Sequence, residues 1–257
     1  MPDKVEPRTD DDVVFRRRDL KGSRLRCLVA TSLPNSDVAA FLNNLVRPHA
    51  YVCTEDIWQP RGLLEGGEAR LGETLSFLKD EQREAVTSWW LAVRERANTP
   101  NWDIVSTCQA EGRRGLVLVE AKAHSGELHR SGKPDGNAEN GRRISAAIED
   151  ANRALGGAQA GWGLCTGTTY QLCNRFAWAW KIASLGVHVV LVYLGFLDAE
   201  EMRTGVLATA EDWRSSVVKH AKGVVPEDVW GRRIEVGESW FVPIIRAARV
   251  STTVVEN

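Results

Sequence analysis

Asp103, Glu120 and Lys122 are the residues of this 257-residue chain whose types and spacing could do chemistry together. Asp103 lies near the start of Trp102-Asp103-Ile104-Val105-Ser106-Thr107-Cys108, and Glu120 and Lys122 close the run Leu116-Val117-Leu118-Val119-Glu120-Ala121-Lys122. Both stretches read as β-strands, and the second is wholly apolar up to Glu120. A carboxylate or ammonium at the end of a buried strand needs a partner, because desolvating it alone is expensive. Two bare carboxylates side by side repel, so one of them is protonated or a cation sits between them. Hard oxygen donors with open positions suit Mg²⁺, with Mn²⁺ as a substitute. Lys122 beside such an ion would position or deprotonate an attacking water, or neutralise charge growing on a phosphate. That assembly is the minimum for hydrolysing a phosphodiester.

The grouping depends on the elements around it. Gln109-Ala110-Glu111-Gly112-Arg113-Arg114-Gly115 reads as a hairpin turn. With the turn centred near Glu111-Gly112, Asp103 falls opposite Glu120, Cβ atoms about 4.5 to 5.5 Å apart. A slip of one residue would send the two carboxylates to opposite faces. The period of two puts Glu120, Lys122 and His124 on one face, so His124 joins the candidates for contact with phosphate or metal. Arg113 and Arg114, in the turn, are the basic pair singled out for phosphate contact.

Upstream, Arg24 to Thr31 reads as a short strand, Val38 to Val46 as a helix opened by Pro34-Asn35-Ser36-Asp37, and Trp58 to Gly72 as a loop. Asp80 or Glu81 opens a helix with Val86, Trp89, Trp90 and Val93 on its apolar face, ended by Asn98-Thr99-Pro100-Asn101. Downstream, the polar stretch to Asn140 is long enough to suggest a mobile active-site loop. Helices follow over Arg142 to Leu155, closed by Gly156-Gly157, and over Tyr170 to Leu185, ended by Gly186; Trp178 and Trp180 read as core. Val187 to Phe196 is a buried strand, Asp198 starts another helix, Ala210 to Ala221 forms one more, and Ile234 to Phe241 is a late strand.

Composition is ordinary for a globular protein, 43% hydrophobic and 26% charged. No apolar run is long enough to span a bilayer, and the first residues lack a hydrophobic signal region, which predicts a cytoplasmic protein. Cys27, Cys53, Cys108, Cys165 and Cys173 are odd in number and carry no CxxC, which argues against a disulfide framework and reads as small buried hydrophobes. A net charge of −1 does not announce a nucleic-acid binder, although basic pairs do cluster. Residues 1 to 12 read as a disordered tail.

Asp103, Glu120-Ala121-Lys122 at the end of an apolar strand, a helix with Tyr170-Gln171 and Arg175, and then a buried strand together resemble the PD-(D/E)xK nuclease superfamily, although Trp102 stands where the motif's proline would be. The resemblance implies an α/β fold with a restriction-endonuclease-like αβββαβ core, a central mixed sheet flanked by helices. One domain is expected, with the core over about 75–197, an N-terminal extension over 1–74 and an addition over 198–257. It also implies Mg²⁺ held by Asp103 and Glu120, Lys122 at the hydrolytic water, Gln171 near the site, Arg175 beside it toward substrate, and DNA as partner. Many members add an upstream acid, for which Glu73, Glu81 and Glu84 compete. The tripeptide alone is weak evidence, since Asp19-Leu20-Lys21 has the same pattern. The alternative is a catalytically inactive nucleic-acid- or protein-binding module on the same fold; oligomeric state, a homodimer included, is left open.

Overall fold

The turn at Glu111-Gly112 sets the register of the sheet. In the computed structural model, which describes residues 21–74, 76–128 and 137–252, Ala110 pairs with Arg113. Glu111 and Gly112 both have positive φ, 51° and 74°, giving the two-residue hairpin whose twist matches that of its strands. It joins β4 (Ile104–Ala110) to β5 (Arg113–Lys122), antiparallel, and the ladder runs to Ile104 opposite Val119. One further step along both chains brings Asp103 across from Glu120.

The other strands are β1 (Trp58–Gln59), β6 (Val189–Phe196), β7 (Ile234–Val236) and β8 (Ser239–Ala248). With them the hairpin forms a six-stranded mixed sheet in the order β1-β4-β5-β6-β8-β7. β6 is parallel to both β5 and β8, and the remaining pairs are antiparallel. A separate ribbon pairs β2 (Ala69–Arg70) with β3 (Asn101–Trp102) and leads the chain directly into Asp103.

Helices cover both faces, which is why β6 is apolar and buried along all eight residues. α1 (Gly22–Thr31) and α2 (Asn35–Val46) pack with Val117, Val119 and Ala121 on one face. α3 (Asp80–Trp90), α4 (Ala138–Ala158), α5 (Tyr170–Ser184) and α6 (Ala210–Ala221) pack with Leu116 and Leu118 on the other. Glu120 and Lys122 continue the Leu116, Leu118 series. They therefore share the face of β5 that α5 covers, and Trp178 packs in the core of that layer.

Several expectations are corrected. Arg24 to Thr31 is helical: Leu25 and Leu28, three apart, turn inward, and the Thr31 and Ser32 hydroxyls bond back to carbonyls of the same helix. The loop over Trp58 to Gly72 carries the short strands β1 and β2. α4 runs through Gly156 and Gly157 to Ala158, held by the burial of Ala151 and Leu155, which outweighs glycine's cost of about 1 kcal/mol per residue. Asp198 does not open an α-helix. It and Arg203 sit at positive φ around a single 3₁₀ turn, Glu200–Met202, and Glu201 is drawn off to buried Arg26 and the Gly22 N–H. The late strand is a hairpin, turned at Gly237, whose second arm β8 becomes an interior strand. All five cysteines are free thiols, and Cys165 is exposed rather than buried. The expected tail, Asp19-Leu20 and residues 129–136 of the polar loop lie outside the described residues.

α6 closes on β6 because position 195 has no side chain. A Cβ on Gly195 would lie 2.5 Å from Trp213 Cγ, and the Trp213 indole N–H donates to Tyr193 O at 3.0 Å. Gly195→Ala is expected to cost about 1–3 kcal/mol by overpacking, measured by urea denaturation; an unchanged midpoint would refute this packing account.

Candidate active site

The C-terminal end of β5 opens into a cavity of about 370 Å³ lined by Asp103, Glu120, Lys122, Gln171 and Arg175, together with Glu68 and Glu127. Three separate pieces of chain build it. β5 supplies Glu120 and Lys122, the junction of β3 and β4 supplies Asp103, and the first turns of α5 bring Gln171 and Arg175 over them.

Glu120 is 1% exposed and is gripped from two sides. The Arg175 Nε–H donates to its Oε2 at 2.6 Å, and the Lys122 ammonium pairs with its Oε1. Burial pushes the Glu120 carboxyl up, but Arg175 and Lys122 overcome it and hold the group below the usual carboxylate range. The same pairing raises Lys122 and Arg175 above their ordinary values despite burial, so both remain cations. Arg175 is fixed further by Nη2 to Asn101 O at 2.7 Å and Nη1 to Asn174 Oδ1 at 2.9 Å. Its guanidinium lies 4.4 Å above the Trp102 ring, a cation–π arrangement.

Asp103 is held differently. Its Oδ2 accepts the Ala121 N–H at 2.7 Å, which fixes the side chain across the strand end. Among the described residues no hydrogen bond reaches its Oδ1. Burial and then the neighbouring Glu120 charge raise its carboxyl to about 7, with Lys122 only partly opposing. The pair thus divides the work as two adjacent carboxylates must: Glu120 takes the cations and ionises, and Asp103 holds a proton into the neutral range.

This has a consequence for stability. With Asp103 near 7 in the fold and near 3.8 when unfolded, the metal-free native state binds more protons than the unfolded chain between those values. Its contribution is therefore fully present below about pH 4 and is lost as the pH rises to 7. Glu120 acts oppositely and only below its ordinary value of 4.5. The thermal midpoint of wild type minus that of Asp103→Asn should thus fall between pH 5 and 8; a constant difference would contradict the assignment.

Arg113, Arg114 and His124 are not brought to the cavity. The hairpin turn is at the far end of β5: from position 113 to 120 the strand covers about 23 Å at about 3.3 Å per residue. There Arg113 donates to His188 Nε2 and Glu238 O, and Arg114 to Ser76 O. His124 falls just past the strand, bridging to Val206 and lying 3.8 Å from Glu127. Arg175 does arrive, but its bonds run inward to Glu120, Asn101 and Asn174 rather than toward a substrate. Glu73 and Glu84 pair with Arg70 and Arg94 on the surface, and Glu81 is exposed.

Two cavity acids had no signal in the strand pattern. Glu68 follows Gly66-Gly67 and accepts from Arg24 at 2.7 Å and from Asn101 Nδ2 at 2.8 Å. Glu127 stands on the turn after β5 and accepts the Ala123 N–H at 2.7 Å. Among the described residues no group of three or more His, Cys, Asp or Glu side chains is placed to hold a metal ion. In comparisons with known proteins, no family model, no curated protein and no solved structure matches the chain. Functional inference therefore rests on the site itself.

Proposed function

We propose that this protein is a metal-dependent phosphodiester hydrolase, a nuclease acting on DNA, built on a restriction-endonuclease-like core. Support for the core comes from chain order. With β2, α3, β3 and α4 intervening, α2, β1, β4, β5, α5 and β6 occur along the chain in the order αβββαβ, the first two upstream of the expected 75–197, and their four strands are adjacent in the order β1-β4-β5-β6. The observation that carries the function is Asp103: a carboxylate with one oxygen anchored, the other without a hydrogen bond among the described residues, raised toward neutrality, and facing the same cavity as Glu120 and Lys122.

Such a donor set fits a hard divalent cation. Asp103 Oδ1 and Glu120 would hold Mg²⁺ or Mn²⁺, with waters and a substrate phosphate completing the coordination and Glu68 available across the cavity. The ion when bound would polarise a phosphate oxygen and acidify a bound water. The chain's own residues do the rest. Arg175 keeps Glu120 ionised and in place. Lys122, held as an ammonium, cannot act as a base toward water; it orients the nucleophile and offsets charge accumulating on the phosphate. Gln171, on the same cavity wall, supplies an amide to hydrogen-bond the water or phosphate.

Because an ion that binds only the folded chain must stabilise it, Mg²⁺ or Mn²⁺ at about 100-fold over Kd should raise the thermal midpoint by about 5 °C or more. The shift should vanish in Asp103→Ala, and Mn²⁺ should support cleavage of circular or linear DNA. An unshifted wild-type midpoint at millimolar metal, with no cleavage, would overturn the reading.

A further inference from the structure

A second cavity lies on the other side of Arg175. It holds about 640 Å³, and Asn101 and Arg175 line both it and the carboxylate cavity. Its composition differs sharply from the charged site. Trp90, Leu91, Pro100 and Ile144 give an apolar lining, and the half-buried ring of Tyr170, the first residue of α5, stands beside them. Polar residues line the rest, five asparagines among them together with Glu95, Arg96 and Arg175. The Asn140 amide is spent on the backbone of 92–93, and Asn174 is spent on Arg175. Exposed Asn98 is the amide with no partner among the described residues, and Glu95 and Arg96 bring opposite charges to the rim.

We propose that this cavity receives one unpaired nucleobase of the strand whose phosphate is cleaved next door, so that the substrate is a single strand or a frayed end rather than continuous duplex. The proposal rests on the nuclease reading for the identity of the strand. A wall of apolar and aromatic side chains, Trp90 and Tyr170 among them, beside amides that include the unpartnered Asn98 matches a flat π surface with a polar edge, and the volume is in the range of small-ligand sites. Contiguity decides the occupant: one sugar separates a base from its own phosphate, and the two cavities share Asn101 and Arg175 as a common wall. A base stacked and paired within a duplex cannot enter without being extruded, whereas a single strand pays no unpairing cost.

The test compares 2′-deoxyadenosine 5′-monophosphate with 2-deoxyribose 5-phosphate by calorimetry, with Mg²⁺ present, on the full chain. The nucleotide should bind about tenfold tighter or more, the increment stacking supplies. That preference should disappear in Tyr170→Ala and in Ala97→Trp, which fills the cavity from a different element, and persist in Tyr170→Phe. Circular dichroism checks the fold of each variant, and Ala97→Trp carries the test if Tyr170→Ala does not fold. Equal binding of both compounds, or binding of neither, overturns the proposal, as does cleavage of blunt duplex as fast as of single strand. Base-dependent binding without cleavage of any DNA would keep the cavity assignment and sink the nuclease reading instead.

Discussion

Arg175→Ala is expected to lower the unfolding free energy by about 3–5 kcal/mol, the cost of stranding one partner of a buried ion pair. The size follows from what Arg175 touches. Glu120 is almost wholly removed from solvent, and Arg175 Nε–H is the donor to its Oε2. Loss of the guanidinium leaves Lys122 alone to balance the charge, uncovers the Trp102 face and removes the donors to Asn101 O and Asn174 Oδ1. Folded protein should escape part of this by protonating Glu120, so the variant's deficit should shrink toward acid pH. A double-mutant cycle isolates the pair: with Glu120→Gln already in place, Arg175→Ala should cost clearly less, because an amide does not strand a charge. Equal costs in both backgrounds, read from urea midpoints, would mean that Arg175 stabilises by packing alone.

The legible part of this molecule was the part fixed by local pattern. The Glu111-Gly112 turn, the apolar run before Glu120 and the period of two along β5 suffice to place Asp103 opposite Glu120, because a two-residue hairpin leaves one register. α5 and β6 were equally readable from periodicity and burial. What sequence reading missed depends on contacts distant along the chain. Glu68 lies in a glycine-rich loop whose path is set by the β2–β3 ribbon, and its partner Arg24 is 44 positions away. Arg175 is placed beside the site by the sequence but turned toward substrate, because nothing local says that its guanidinium lands on Glu120. Arg113 and Arg114 lie away from the cavity for the converse reason: nearness in sequence to a site-bearing strand is distance in space when a strand's length intervenes. β8 was cut short because its outer half is only half-buried, which weakens the pattern of an interior strand.

Asp103→Asn should do two opposite things, and their conjunction separates a functional carboxylate from a structural one. Cleavage should fall by at least about 10²–10³-fold, the loss seen when a single group that stabilises charge in a preorganised site is removed. Metal-free stability at pH 8 should rise, because the ionised carboxylate there lies partly buried beside Glu120 with one N–H donor to offset both costs. The amide keeps an oxygen to accept the Ala121 N–H and carries no charge. A group retained for the fold would behave in the reverse sense, as Arg175 does, losing stability on substitution. Strain of this kind persists at sites where binding a ligand relieves it. The addition of Mg²⁺ should therefore narrow the stability gap between wild type and variant or invert it. If the variant cleaves DNA at the wild-type rate, Asp103 is no part of the chemistry; if it is less stable than wild type at pH 8 without metal, burial and the repulsion with Glu120 are not what raises its carboxyl.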